Sequence, residues 1–284
     1  KTSLSRSLRS IKHRGLEFFG TEIRNRRKQW IVEINQPLVI ISEVQRSGGT
    51  LLSQLLDGHP ECYSHPEELC WGKPEKWNWP ALQLDSKTWL PNQLFKQLHE
   101  PWIDAYGGAG FYRKKPGYKT QYPFLFDLTL QRSVFRDIMR ARPFLSQRDV
   151  FNAYLTSFFS AWLDCSNLYG AEKKFITCFT PRLIVETPVE RIFSDYPDGY
   201  VVSLVRDPVD WFLSARNHAF FRNAGSTDQL LGYWNESTEA AIQAHAKFPT
   251  RVIVGRFESL VRDTQAAMSE LCRRVGIGFS DTSL

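Results

Sequence analysis

Two stretches of the chain share one order of elements: an apolar strand, an arginine-containing break and a helical pattern. They are residues 37–61, PLVIISEVQRSGGTLLSQLLDGHPE, and residues 199–218, GYVVSLVRDPVDWFLSARNH. Recurring strand-to-helix units are typical of a parallel sheet with crossover helices. A third strand is predicted at residues 251–255, before a helix over residues 264–275 that ends at Gly276. The sequence predicts a three-layer α/β/α fold with a central parallel sheet.

Composition limits the class of protein. The chain has 284 residues, of which 42% are hydrophobic, enough for one globular domain, predicted over residues 37–284. The five cysteines are irregularly spaced, which predicts a reducing, cytoplasmic location rather than a disulfide scaffold. No apolar run reaches the roughly 18 residues of a membrane span. The first residue is Lys, which leaves open an upstream anchor and therefore a lumenal location.

The positive charge belongs to an N-terminal arm, residues 1–36. Its first 30 residues carry nine Lys or Arg against two Glu, so they hold +7 while the whole chain holds +6. Apolar residues recur in the arm at helical spacing, which predicts an amphipathic helix. Such a helix suits a membrane surface, self-association or an anionic polymer, and the alternative is a solvated helix packed on the body.

The break after the first strand, Arg46-Ser47-Gly48-Gly49-Thr50, predicts an anion site. A helix that begins directly after a turn of small residues presents unpaired N–H groups and the positive end of its dipole. The nucleotide triphosphatase pattern G-x-x-x-x-G-K-[ST] does not fit, because Gly49 stands where Lys is needed. A plain tight turn between strand and helix is the alternative.

The second break supports the anion site. Arg206 ends a predicted strand, where ligands of open α/β sheets bind, and Ser214 follows eight residues later in the next helix. These two side chains could share a second phosphate. The alternative is a surface ion pair of Arg206 with Asp207 or Asp210.

Three segments together resemble the sulfotransferase family. RSGGTLLSQLLDGHPE is similar to its 5′-phosphosulfate loop, and YVVSLVRDPVDWFLS to its 3′-phosphate segment, R-D-P with Ser eight residues after Arg. VGRFESLVRDTQAAMSELCRRVGI looks like its last strand, turn and helix. The resemblance is to the branch with Arg in the loop, which modifies carbohydrates and protein tyrosines. It implies the P-loop-like sulfotransferase fold, and it leaves residues 70–175 unmatched as a predicted acceptor lid.

The resemblance implies transfer of a sulfuryl group from 3′-phosphoadenosine 5′-phosphosulfate (PAPS) to an acceptor hydroxyl or amine, with 3′-phosphoadenosine 5′-phosphate (PAP) as product. Arg46 would stabilise the bridging oxygen. Gly49 stands where the family usually has Thr, which removes one hydroxyl contact but keeps the backbone donor. The residues implied to bind the donor are Arg46, Ser47, Gly48, Gly49, Thr50, Leu51, Arg206 and Ser214.

A base must take the acceptor's proton. In the Arg-type branch a Glu about twenty residues beyond the loop Arg has this role, which implies Glu67, and His65 is the second candidate. Glu68 and Glu61 are interpreted as solvated surface carboxylates. No metal is predicted, since the nearby His and Cys residues fit no common zinc spacing.

The lid is predicted to bind a carbohydrate or glycolipid acceptor. It contains five tryptophans, which are common platforms for sugar rings, although core packing is the alternative. The five are Trp71, Trp77, Trp79, Trp89 and Trp102. Two other classes stay open: a non-catalytic nucleotide- or nucleic-acid-binding protein on the same fold, and a kinase, which is disfavoured because no Walker Lys is present.

Overall fold

The computed structural model of the protein describes most of the chain outside its N-terminal arm and part of the predicted lid. The described residues are 20–72, 77–82, 84, 90–100, 108–109, 123–124, 126–141, 146–162, 172–218, 221, 224 and 226–280.

Strands and helices alternate along most of the chain. In chain order the strands are β1 (Leu38–Ile41), β2 (Cys62–Glu68), β3 (Gly108–Ala109), β4 (Pro123–Phe124), β5 (Phe175–Phe179), β6 (Tyr200–Val205) and β7 (Val252–Arg256). The helices are α1 (Gly49–Leu56), α2 (Pro91–Leu98), α3 (Leu128–Ala141), α4 (Gln147–Ala161), α5 (Leu183–Glu186), α6 (Val189–Asp195), α7 (Pro208–Ala215), α8 (Thr227–Lys247), α9 (Phe257–Arg262) and α10 (Thr264–Val275).

Five parallel strands form the main sheet, in the order β2-β5-β1-β6-β7. The three predicted strands are all present in it as β1, β6 and β7, and β1 lies directly beside β6, with Val39 opposite Tyr200. Because neighbouring parallel strands end at the same edge, the breaks after β1 and β6 meet there. A separate antiparallel pair joins β3 and β4.

Alternate residues of the buried strands pack into two different hydrophobic clusters, one on each face of the sheet. Leu38 and Ile40 of β1 pack in the cluster that contains α4, whereas Val39 and Ile41 pack against α1 and α10. A strand buried on both faces needs a continuous apolar run, which explains the sequence of β1. The three-layer α/β/α arrangement predicted from the sequence is confirmed.

The segment predicted as an acceptor lid, residues 70–175, contains a helix of the core. A capping box between Ser146 and Asp149 starts α4, and every residue from Val150 to Ala161 is buried. A helix that is buried on all sides belongs to a core. The predicted boundaries of the lid stay a prediction, but α4 is part of the scaffold under the sheet rather than a cover over a cleft.

The described part of the basic arm lies against the body of the protein. Residues 20–28 are helical; Arg24 and Lys28 pair with Asp127 and Asp137, respectively, and Arg27 Nη2 donates to the carbonyl of Ser160. This packing agrees with the alternative of a helix on the body for residues 20–28. Residues 1–19 lie outside the described residues, so a membrane-surface or self-association role stays a prediction. Among the described residues, no helix is both long and apolar enough to cross a membrane.

Candidate functional site

The loop between β1 and α1, residues 42–48, contains the first predicted anion-binding residues and is called the Arg46 loop. Arg46 has a φ of 79° and Gly48 a φ of 110°, both in the left-handed region. Such a backbone is uncommon for a residue other than glycine and is concentrated at functional sites. Gly48 is also required by space, because a Cβ there would lie 2.4 Å from a ring carbon of Phe257.

Helix α1 begins at Gly49 with no side-chain cap on its N-terminus. The N–H groups of Thr50 and Leu51 belong to its first turn, where helix geometry provides no partner. Together with the helix dipole they favour an anion at this end. The side chain of Leu51 is exposed and that of Ser47 is buried, so Leu51 can contribute only its backbone N–H to this site.

The second break, Arg206-Asp207 between β6 and α7, lies against the Arg46 loop. Arg206 Nη1 donates to the backbone carbonyl of Arg46 at 3.0 Å, and Arg46 Nε donates to Ser214 Oγ at 3.1 Å. The structure therefore brings Arg46 together with Arg206 and Ser214, which lie about 160 residues further along the chain. The guanidinium of Arg206 also stacks on the ring of Phe257, 4.6 Å from its centroid.

Residues from other elements hold the two breaks in position. Trp211 Nε1 donates to the carbonyl of Gln45 at 2.9 Å, and Trp234 Nε1 donates to the carbonyl of Arg206 at 2.8 Å. The carboxylate of Asp207 accepts the N–H groups of Val209 and Asp210 and so caps α7. Among the described residues Arg206 makes no ion pair with Asp207 or Asp210 and bonds the carbonyl of Arg46 instead, so the alternative of a surface pair does not describe the site.

A cavity of about 390 Å³ opens where the two breaks meet. Its size is within the usual range for small-molecule sites. It is lined by the predicted Arg46, Gly48, Gly49, Thr50 and Arg206, and also by Glu43, Gln45, Glu68, Trp77, Phe179, His218 and Phe257.

The structure places Glu68 on this cavity, and Glu67 is not among the lining residues. Both belong to β2, whose pairing with β5 is irregular between Ser64 and Glu68. Glu67 is buried, with Oε1 accepting the N–H of Glu68 at 3.3 Å. The interpretation of Glu68 as a solvated surface carboxylate is therefore wrong, while the role of Glu67 as base stays a prediction.

His65, the second candidate base, lies in the core. It is 1% exposed, its Nε2 lies 3.1 Å from a carboxylate oxygen of the buried Glu100, and its ring stacks on Phe158. Its Nδ1 lies 2.7 Å from the carbonyl oxygen of Glu67. Both ring nitrogens thus have partners within the core, and the structure does not bring His65 to the cavity.

Glu61, the other carboxylate interpreted as solvated, has a structural role. It pairs with Lys174, and its Oε2 accepts the N–H of Gly278 at 2.6 Å. The hydrogen bond from Lys174 lowers the pKa of Glu61, because it stabilises the ionised form. The described residues contain no group of three or more side chains that could hold a metal ion.

Glu43 is a lining residue that the sequence analysis did not single out. It is 1% exposed, and burial raises the pKa of its carboxyl to about 8, with the charge of Glu68 as a further cause. Its Oε1 accepts the N–H of Gly49 at 2.9 Å. The sequence feature that could have identified Glu43 is its position inside the Arg46 loop, two residues after an apolar strand.

Of the three predicted platform tryptophans that the structure describes, one lines the cavity. Trp71 and Trp79 are buried and stack around Phe151 in the core. Trp77 is half-buried and lines the cavity. Trp89 and Trp102 lie outside the described residues.

The model of the sulfotransferase family matches residues 37–281. The chain belongs to the sulfotransferase family. The match includes the Arg46 loop, the break at Arg206 and the strand-turn-helix at the end of the chain, which are the three segments on which the resemblance was based. No curated protein sequence matches the chain.

The chain is also similar to solved structures, of which the first named below shares its fold with a TM-score above 0.5. The sulfotransferase domain from the curacin biosynthetic pathway is 20% identical, with a TM-score of 0.55 over 88% of this chain and 77% of that chain. A sulfotransferase from Alicyclobacillus acidocaldarius is 16% identical, with a TM-score of 0.46 over 88% of this chain and 85% of that chain. A retinol dehydratase solved with retinol and PAP is 15% identical, with a TM-score of 0.37 over 91% and 67%.

Two features of this sulfotransferase site fit a doubly phosphorylated nucleotide. The Arg46 loop leaves no space for a side chain at Gly48 and offers helix N–H groups. Arg206 Nε is buried without a hydrogen-bond partner among the described residues, and a buried polar atom of this kind indicates a missing ligand or water. The residues present therefore fit the donor that the family implies.

Proposed function

We propose that the protein transfers a sulfuryl group from PAPS to a hydroxyl or amine of an acceptor. The observation that carries this proposal is the contact between Arg206 and the carbonyl of Arg46, which joins two basic loops at the ends of adjacent strands. In the family these segments bind the two phosphate-bearing ends of the donor. The cavity that they share also contains a carboxylate that can accept a proton.

In this proposal each loop has its own part. The N–H groups of Gly48, Thr50 and Leu51 hold the 5′-phosphosulfate, with Ser47 and Gly49 completing the loop. Arg46 stabilises the negative charge on the oxygen that leaves sulfur. Arg206 and Ser214 hold the 3′-phosphate through charge-assisted and neutral hydrogen bonds.

The donor supplies the sulfuryl group, and the chain's own residues must position the acceptor and remove its proton. We assign the base role to Glu68, because it lies on the cavity with Arg46. As the acceptor oxygen or nitrogen forms a bond to sulfur, Glu68 accepts its proton, and the bond from sulfur to the 5′-phosphate oxygen breaks. Catalysis of this kind depends on positioning and on charge stabilisation.

A carbohydrate or glycolipid remains our proposed acceptor, and among the described tryptophans it is Trp77 that supports it. Aromatic faces at a cavity can hold sugar rings. The guanidinium of Arg182 lies 5.9 Å from the Trp77 ring and so helps to orient it. A panel of mono- and oligosaccharides, phenols and lipid alcohols distinguishes acceptor classes: Trp77→Ala should raise KM for a sugar more than tenfold and leave affinity for PAP unchanged.

Turnover of radiolabelled PAPS with this panel tests the proposed function. Transfer of label to an acceptor, lost in Arg46→Ala, is the expected result. Tight PAP binding without transfer to any acceptor would instead support the non-catalytic nucleotide-binding alternative. Salt-dependent DNA binding without PAP binding would support the nucleic-acid alternative.

A further inference from the structure

The carboxyl group of Glu43 is enclosed next to the Arg46 loop. Glu43 is 1% exposed and lines the cavity, and its Oε1 accepts the N–H of Gly49, the first residue of α1, at 2.9 Å. Its Oε2 is also buried and has no hydrogen-bond partner among the described residues. A buried polar atom without a partner is rare and requires an explanation.

Gly49 and Glu43 fit each other. A Cβ at position 49 would lie 2.2 Å from Glu43 Oε1 and 2.4 Å from a ring carbon of Phe179. The carboxyl therefore fills the volume that any side chain at position 49 would need. The Glu43 carboxyl is therefore packed directly against the start of α1. A negative charge on it would lie close to the N–H groups there.

The protonation state of Glu43 affects anion binding because Glu43 shares its cavity with other charged side chains. Arg46 and Arg206 line the same cavity with His218, and Glu68 faces it from β2. Arg182 donates its backbone N–H to the carbonyl of Glu43 at 2.9 Å. An ionised Glu43 would compete with a bound anion for the N–H of Gly49 and repel that anion across a buried, weakly screened distance. A neutral Glu43 still accepts the N–H of Gly49 through its carbonyl oxygen, but it carries no charge that repels the anion.

We propose that Glu43 controls donor binding through its own protonation: the Arg46 loop binds the 5′-phosphate end of the donor when Glu43 is neutral and binds it weakly when Glu43 is ionised. The identity of the ligand rests on the proposed function above. Control by Glu43 rests on the loop geometry and would act on any anion bound there.

The direction of the pH dependence follows from burial. Burial raises the pKa of Glu43 to about 8, so the carboxyl is mostly neutral at pH 7 and mostly ionised at pH 9.5. Affinity for the donor should therefore fall as pH rises through this interval, and binding above pH 8 should take up a proton. The interval lies above the usual titration range of histidine and of a phosphate monoester.

Titration calorimetry with PAP between pH 7.5 and pH 9.5 tests the proposal. If only the neutral form binds, the affinity of the natural chain falls by about 25-fold over this interval. Glu43→Gln keeps the size of the side chain and the acceptor for Gly49 but cannot ionise, so its affinity should stay within about twofold. Glu239→Gln, an exposed position outside the cavity lining, is the matched control and should behave like the natural chain.

A second measurement needs no variant and covers the case in which Glu43→Gln does not fold. PAP binding at pH 8.5 is measured in two buffers of different ionisation enthalpy, and the difference gives the protons taken up. Uptake of about half a proton or more is expected. PAP binding that neither changes with pH nor takes up a proton would overturn this inference and leave the proposed function intact. Failure to bind PAP at every pH would overturn both.

Discussion

Arg206 donates a hydrogen bond from Nη1 to the backbone carbonyl oxygen of Arg46, 3.0 Å away, across a separation of 160 residues in the chain. The contact exists because β1 and β6 are neighbours in the parallel sheet and end at the same edge. It couples the residue assigned to the 3′-phosphate with the loop assigned to the 5′-phosphosulfate. A ligand that spans both loops would therefore meet a site whose two halves already touch.

Replacing Arg206 tests this coupling. Arg206→Ala should lower the affinity for PAP by about 10- to 100-fold, because a charge-assisted hydrogen bond contributes about 1.5 to 3 kcal/mol. The affinity for AMP, which lacks the 3′-phosphate, should change much less, so the preference for PAP over AMP disappears. Calorimetry with both nucleotides measures the ratio. As a control, Arg262→Ala removes an exposed cation outside the cavity lining and should leave the ratio of PAP to AMP affinity unchanged. Equal affinities for PAP and AMP in the natural chain would contradict the assignment of Arg206 to the 3′-phosphate.

Two conservative substitutions distinguish the roles of Glu67 and Glu68, the neighbouring carboxylates of β2. Glu68→Gln should lower kcat by roughly 10² to 10⁴ with PAP affinity nearly unchanged, because the amide cannot accept the acceptor's proton. Glu67→Gln, the matched control on the other side of the same strand, should keep most of its kcat. The reverse result, an inactive Glu67→Gln beside an active Glu68→Gln, would return the base role to Glu67.

The fit between Glu43 and Gly49 predicts a coupled effect on stability. Gly49→Ala should destabilise the natural chain by about 1 to 3 kcal/mol, because the new Cβ overlaps Glu43 Oε1 and Phe179. In the Glu43→Ala background the same substitution should cost less, by about 1 kcal/mol, since one of the two overlaps is gone. Urea unfolding of the natural chain, the two single variants and the double variant measures the coupling free energy in a double-mutant cycle. Gly232→Ala in α8, where a Cβ meets nothing within 4 Å, is the control and should not be destabilising. A coupling free energy of zero between positions 43 and 49 would show that the Glu43 side chain moves aside without cost.

The raised pKa of Glu43 also predicts how stability depends on pH. Above the ordinary value of 4.5 the unfolded chain releases the Glu43 proton, whereas the folded chain keeps it until about pH 8. The contribution of the neutral carboxyl is therefore fully present below about pH 4.5 and is lost as pH rises to about 8. The difference in Tm between the natural chain and Glu43→Gln, measured from pH 5 to pH 9, should shift steadily in favour of the variant and level off above pH 8. A constant difference would show that Glu43 titrates normally.

Local patterns of sequence determined the elements that form the sheet. Strands β1, β6 and β7 lie where their apolar runs predicted them, because a strand buried on both faces needs such a run. Helix α10 has the predicted bounds, Thr264–Val275, because amphipathic spacing and Gly276 define its length and its end. The Arg46 loop was also visible, since a strand, small residues and a helix start are all short-range features.

The tertiary structure decided which side chains share the cavity. Glu67 and Glu68 are adjacent in sequence, but Glu68 lines the cavity with Arg46 and Glu67 does not. His65 joins Glu100 in the core because long-range packing brings their elements together. The enclosure of Glu43 likewise depends on Phe179 from β5 and on the first turn of α1. Propensity and periodicity act over a few residues, whereas burial and pairing depend on contacts between distant segments, so the sequence by itself determined the elements and the loop, and the fold determined the chemistry around them.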